Sequence, residues 1–293
     1  MKIEIGTRQF RAIPGKQHLL SDHPTNIKSL YTNKDEYKNL LDEYQDEIFD
    51  LQNMLFAHDR YALLLIFQGM DTSGKDGAIR QVMSGIDPAG VQVFSFKKPS
   101  ATEMDHDYLW RTNLCLPERG RIGIFNRSYY EEVLIVKVHP EILSASRIPN
   151  EMMKNDDSFW QSRYSDIRNH EAYLYRNGIR VVKFFMHLSK EEQRQRFLSR
   201  IQEPAKNWKF SVVDVNERGY WDEYQKAYEA CIRHTTTEES PWYVIPADEK
   251  KNARLIIAKV VLETMRSLHI SYPELPDGQK KELEEIRGKL EGE

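Results

Sequence analysis

Cysteine is scarce: only Cys115 and Cys231 occur among 293 residues, too few for a disulfide framework and in keeping with a reducing compartment. Long hydrophobic runs are missing as well. The longest, Tyr61 to Phe67, falls far short of the roughly 20 apolar residues that a membrane helix requires. The opening residues, MKIEIGTRQFRAIPGKQ, hold no apolar secretory core, so the expected location is cytoplasmic, with no membrane partner. Nor does one sign of charge dominate. Lys and Arg total 42 against 45 Asp and Glu, a formal net charge of −3. That balance argues against a nucleic-acid binder and against an acidic disordered tail. No internal repeat or Gly/Ser-rich linker divides the chain, which predicts one domain with terminal extensions.

A hydrophobic share of 40% in a chain of this length can build a sizeable core. Residues 1–33 mix Gly, Pro, Asn and Thr and read as an irregular extension. Tyr37, Leu41, Tyr44, Ile48, Leu51 and Leu55 recur every three or four residues and predict a helix over 34–57. Such spacing suits a dimer seam, but fewer than three heptads favour packing on the chain's own core. From residue 61, five short apolar runs alternate with amphipathic or charged stretches: Ala62–Gln68, Val91–Phe96, Ile122–Asn126, Ile179–His187 and Trp242–Ala247. Mostly unalternated, they read as parallel strands buried on both faces. Segments 101–115, 190–201 and 253–268 read as helices. The expected architecture is α/β, a five-stranded parallel sheet with helices on both faces. Its ligands would bind where the strand C-termini collect. The domain spans 34–270, and 271–293 form a charged tail with a solvated helix.

After the first strand comes Gly69-Met70-Asp71-Thr72-Ser73-Gly74-Lys75-Asp76-Gly77. Gly69, Gly74 and Lys75 have the spacing of a phosphate-binding loop, with an apolar strand before and a helix after. Glycines let the backbone wrap so that N–H groups, those of Thr72, Ser73 and Gly77 included, turn towards phosphate oxygens. The positive helix end and Lys75 add to the attraction. Position 76 is Asp, where nucleotide triphosphatases carry Ser or Thr, and Asp71 lies inside the loop. Carboxylates beside a polyanion call for a divalent cation between them, so Asp71 and Asp76 read as ligands of one or two magnesium ions. The plainer alternatives are a loop brace for Asp71 and a helix-terminal charge for Asp76.

The third strand ends in Ile124-Phe125-Asn126-Arg127-Ser128-Tyr129-Tyr130-Glu131. Asn126 stands where a metal-binding carboxylate is usual, and Arg127 can neutralise charge on a moving phosphoryl group. Glu131, one helical turn on, reads either as a site residue or as a helix cap or surface group. Arg194, Arg196, Arg200, Lys206 and Lys209 crowd 193–210 against one acid, Glu203, and suggest a basic helical lid over about 190–218. Lys97, Lys98, Asp107 and Arg111 lie on the expected ligand edge and are candidates for a second phosphorylated substrate. His106, between Asp105 and Asp107, is not expected to hold a metal, because neighbours on a helix point apart. His187 is expected as a satisfied core histidine.

Taken as an ordered set, these segments resemble the family-2 polyphosphate kinases. The resemblance rests on G-M-D-T-S-G-K-D-G at 69–77, K-K-P-S at 97–100 and D-Y-L-W-R at 107–111. It continues in F-N-R-S-Y-Y-E at 125–131, K-F-F-M-H-L-S-K-E-E-Q at 183–193 and P-W-Y-V-I-P-A at 241–247. It covers about residues 35–270. It implies a three-layer P-loop kinase fold with a mobile lid, and reversible, magnesium-dependent phosphoryl transfer between inorganic polyphosphate and AMP, ADP and ATP. Manganese would be able to substitute, and a homo-oligomer is implied. Asp71, Lys75, Asp76 and Arg127 would stand at the reaction centre, with Arg196 and Arg200 on the lid. Asn126 replaces the Asp of many members, and F-N-R-S with Glu131 resembles the subgroup that accepts both nucleoside mono- and diphosphates. The rival readings are an ATP-dependent nucleotide or nucleoside kinase of the same fold and a non-catalytic phosphate-binding module.

Overall fold

The structure is a computed structural model and describes residues 5–153 and 156–292. Five strands form one parallel sheet: β1 (Ala62–Gln68), β2 (Val91–Ser95), β3 (Ile122–Asn126), β4 (Ile179–His187) and β5 (Trp242–Pro246). Their order is β2-β3-β1-β4-β5. β2 and β5 each end one residue before the sequence suggests. Phe96 and Ala247 nonetheless extend the ladder with bonds to Asn126 O (3.0 Å) and His187 O (2.9 Å).

The longer helices are α1 (Lys34–His58), α2 (Lys75–Val82), α3 (Asp157–Arg176), α4 (Lys190–Gln202), α5 (Trp221–Thr235), α6 (Lys250–Arg266) and α7 (Asp277–Glu291). β1 is central because it is apolar on both sides. Leu63, Leu65 and Phe67 pack under α1, α2 and α6, and Leu64 and Ile66 pack under α3 and α5. Its register sets Phe67 level with Asn126 on β3 and with Phe184 on β4. The end of β3 therefore lies beside the loop that leaves β1.

The periodic face of α1 turns inward, with Tyr37, Leu41, Tyr44, Ile48 and Leu55 buried, while Phe49 and Phe56 stay exposed on its outer side. Residues 101–115 do not make the expected single helix. Two short turns, Ala101–Met104 and Trp110–Asn113, form instead. The Asp107 side chain accepts from Leu109 N at 2.9 Å, a local bond that competes with helix continuation. The first described residues hold only 3₁₀ turns. They lie against the sheet edge, where Ala12 N donates to Trp242 O at 2.8 Å and Phe10 and Leu20 are buried. α7 is exposed along its length. Among the described residues no helix is long and apolar enough to cross a membrane.

Candidate active site

The loop between β1 and α2 is shaped by sterics at two glycines. At Gly69 (φ +152°) an added Cβ would fall 2.8 Å from Ser73 Oγ and 3.0 Å from the Met186 carbonyl oxygen, so no side chain fits. Gly74 (φ +100°) is left-handed and caps α2. Gly77 differs: a Cβ there would meet nothing closer than 3.7 Å, so sterics do not demand glycine. Thr72 (φ +65°) and Arg127 (φ +63°) also take left-handed backbone. Such conformations in residues with side chains concentrate where the surrounding structure enforces them. The Thr72 and Ser73 hydroxyls are buried without a protein partner and line the same cavity.

Lys75 is buried, and its Nζ donates to Gly69 O at 2.7 Å and Met70 O at 3.3 Å. Burial, then the charge of Arg127, pull its pKa down to about 8 against the opposing pull of Asp71, Glu131 and Asp76. The loop carboxylates pair with the end of β3. Arg127 Nη2 donates to Asp71 Oδ1 at 2.8 Å, and Asn126 Nδ2 donates to Asp76 Oδ1. Arg127 Nη1 lies 3.7 Å from Glu131 Oε2. Glu131 is thus not a surface group. It does not line the cavity but sits behind Arg127, and burial raises its pKa against the pull of Arg127 and Lys75. Gln68, with its amide nitrogen turned to that carboxylate, donates to Glu131 Oε1 at 3.0 Å.

The basic residues expected on a lid divide. Arg196 is buried, and all five of its N–H donors are engaged. Nη1 donates to Thr72 O and Ser73 O (both 3.0 Å), Nη2 to Ala247 O (2.6 Å) and Asp248 O (3.0 Å), and Nε to Glu192 (2.8 Å). It therefore clamps the phosphate loop to the end of β5. Gln193 helps, donating to Asp71 O at 3.0 Å. Arg200, Lys206 and Lys209 line the cavity, with Arg200 3.5 Å from Asp214 on the lid. Arg194 does not line it and is engaged by Glu191 at 2.7 Å.

On the β2 side, Lys97 and Lys98 line the cavity, but Asp107 and Arg111 do not. Asp107 caps its own turn, and Arg111 donates to Lys97 O at 2.7 Å, bracing the lysine pair from behind. His187 is buried as expected yet only partly satisfied, since its Nδ1 has no partner. Burial and then His23 drop its pKa to about 4.

The cavity, about 610 Å³, is lined by eleven Lys and Arg residues and by two carboxylates, Asp71 and Asp76. Sequence reading missed Arg80, Lys250 and Arg254. The available signal was Lys250 and Arg254 four apart at the start of α6, where the helix dipole disfavours cations. Their charges have a use if an anion lies between them. The two carboxylates fit a magnesium ion on donor chemistry. Each has one oxygen engaged by a protein donor, and a carboxylate offers about four lone-pair positions. Magnesium binds through one or two carboxylates, with water and substrate phosphates completing its shell. Among the described residues no group of three or more His, Cys, Asp or Glu forms a self-sufficient metal site.

The end of the 190–218 segment is tied to the body through His139. Its Nε2 lies 2.9 Å from Glu217 and its Nδ1 3.0 Å from Glu141, and Tyr224 OH donates to Glu217 at 2.6 Å. Burial lowers the His139 pKa, but the two carboxylates, Glu217 foremost, outweigh it and the net shift is upward. A raised folded pKa stabilises most below the unfolded value of about 6.5 and loses that contribution as pH rises through the folded value. At acid pH, His139→Gln should lower Tm by about 1–2 °C, the scale of about 1 kcal/mol in a chain of this size. The deficit should fade on the alkaline side. A deficit unchanged by pH would dismiss the charged tie.

A parallel sheet with β1 at its centre, a phosphate loop entering α2 and a basic cleft at the strand C-termini define a P-loop kinase fold. A family model, Polyphosphate kinase 2 (PPK2), matches residues 31–272. The chain is 56% identical to the ADP-polyphosphate phosphotransferase of Rhodopseudomonas palustris, over 98% of this chain and 99% of that protein. It is 42% identical to the AMP/ADP-polyphosphate phosphotransferase of Meiothermus ruber, over 79% and 82%. It superposes on the crystal structure of polyphosphate kinase 2 from Arthrobacter aurescens TC1 with a TM-score of 0.85, at 33% identity and 97% coverage of both chains. The chain belongs to the polyphosphate kinase 2 family.

Proposed function

We propose that this chain transfers the terminal phosphoryl group of inorganic polyphosphate to AMP and to ADP, forming ADP and ATP. The observation that carries this is the cleft, in which eleven cations surround two carboxylates at the mouth of a phosphate loop. A polyanionic donor fits that excess, and the relatives' names give the same donor with ADP, or with AMP and ADP, as acceptor. Asp71 and Asp76 would hold magnesium, one ion or two, or manganese in its place. Bound there, the ion would screen phosphate charge. The loop N–H groups and Lys75 bind the donor's end, and Arg127 faces the transferred group. Arg196 fixes the loop, while Arg200, Lys206 and Lys209 cover the chain. Lys97 and Lys98 lie on the acceptor side. The acceptor oxygen is already anionic near neutral pH, so the protein supplies position and charge, and no strong base is required. One phosphoanhydride replaces another, which makes the step reversible.

Purified protein with long-chain polyphosphate, magnesium and either AMP or ADP should give ATP from ADP, and ADP then ATP from AMP. Product from ADP alone would keep the donor and remove the AMP reading. Turnover with ATP as donor, and none with polyphosphate, would move the protein to the ATP-dependent kinases. No turnover with either donor, in folded protein, would leave a phosphate-binding module. Oligomeric state is part of the same proposal, a homo-oligomer, and mass in solution tests it.

Asn126 bears on acceptor choice. Its neutral amide donates to Asp76. An aspartate in its place would set carboxylate against carboxylate, a pair held only by an additional cation. A diphosphate brings such a cation more readily than a monophosphate. Asn126→Asp should therefore lower the AMP to ADP ratio of kcat/KM at least about tenfold. An unchanged ratio would detach Asn126 from acceptor choice.

A further inference from the structure

The turn after β3, Tyr129–Val133, is secured from beneath by a polar cluster that the reaction itself does not use. Glu171 on α3 is 1% exposed and Lys183 on β4 fully buried. Tyr129 OH and Tyr130 OH both donate to Glu171 Oε1, at 2.8 and 2.7 Å. Lys183 Nζ donates to Glu171 Oε2 at 2.5 Å and to Thr235 O at 2.8 Å. Such a cluster is costly to bury, and apolar residues of similar volume often stabilise a core better. Stability alone therefore gives little reason for it.

Its position supplies one. The two tyrosines lie between Arg127, on left-handed backbone, and Glu131, and Arg127 reaches Asp71 and Glu131. We propose that Glu171, held by Lys183, is a positioning residue that fixes Arg127 and Glu131 in the site through the hydroxyls of Tyr129 and Tyr130. This rests on the phosphoryl-transfer reading. The carboxylate accepts from both hydroxyls on a single oxygen, which ties the far ends of the two side chains to one point and so restrains the backbone that carries them. The lysine aims the carboxylate, and the Thr235 carbonyl holds the lysine.

The test is kinetic, run well below the Tm of every variant and alongside the wild-type protein with polyphosphate and ADP. Tyr129→Phe with Tyr130→Phe removes only the two hydroxyls. Positioning predicts a loss of kcat of at least about tenfold, the scale of small misplacement in a site, with KM for both substrates within about twofold. A second pair of variants separates this from stability. Glu171→Gln with Lys183→Met keeps an acceptor oxygen for the tyrosines, and Glu171→Met with Lys183→Met does not. Both are neutral and similar in volume. The first should retain kcat within about threefold and the second should lose at least about tenfold, whatever the order of their Tm values. Equal kcat in that pair, or wild-type kcat in the double phenylalanine variant, would overturn the inference. Should either methionine-containing variant not fold, the phenylalanine variant decides alone. Absence of turnover in the wild-type protein would instead count against the reaction.

Discussion

Lys75→Ala lowers kcat/KM for polyphosphate by about three orders of magnitude and leaves the protein folded. The size follows from what one preorganised donor contributes to developing charge in a water-poor site, about 10²–10³ in rate, together with the loss of a full charge from donor binding. Lys75 is placed to be that donor, buried at the mouth of the loop with its Nζ held by Gly69 O and Met70 O. A desolvated cation is not what keeps the fold together, so the thermal transition should survive. The pH dependence has a definite sign. With its pKa drawn down to about 8, the ammonium is present below that value and lost above it. Since kcat/KM reports groups of the free enzyme, wild-type kcat/KM should fall as pH rises through about 8. The alanine variant should lack that limb. A loss under about tenfold at neutral pH would remove Lys75 from the reaction centre.

Arg127→Ala is the second large effect, a fall in kcat of about 10³ or more. An arginine placed on a moving phosphoryl group contributes about 10³–10⁵ in other phosphoryl-transfer proteins. Here one guanidinium spans Asp71 at 2.8 Å and Glu131 at 3.7 Å. A lysine has no planar fork with which to span both, so Arg127→Lys should restore little. The alanine variant should also melt earlier, because Glu131 is left buried without its cation. Rates are therefore to be compared on folded protein, with KM for polyphosphate moving less than kcat. A variant within about threefold of wild-type kcat would return Arg127 to a structural ion pair.

Much of the site was legible because its chemistry is local in sequence. Gly69, Gly74 and Lys75 sit on one loop, and Asn126, Arg127 and Glu131 on one strand end, so spacing alone grouped them. Where side chains turn away, spacing misled. Arg194 and Arg196 are two apart in one basic stretch, yet Arg194 meets Glu191 and Arg196 locks onto the loop. Asp107 serves its own turn and Arg111 binds the Lys97 carbonyl, so neither lines the cavity. Arg80, Lys250 and Arg254 reach the cavity from helices that sequence order keeps far apart.

The sequence by itself determined the alternation of strand and helix, the phosphate loop and the family, because apolar run length, glycine spacing and motif order are properties of neighbours along the chain. Tertiary structure alone decided which carboxylate each β3 residue meets. It also decided that Arg196 is used up by four backbone carbonyls and Glu192, and that Glu171 and Lys183 lie beneath Tyr129 and Tyr130. Those pairings follow from the register of β1 with β3 and β4 and from helices folding back across the sheet. They depend on distances through space that the order of residues does not encode directly.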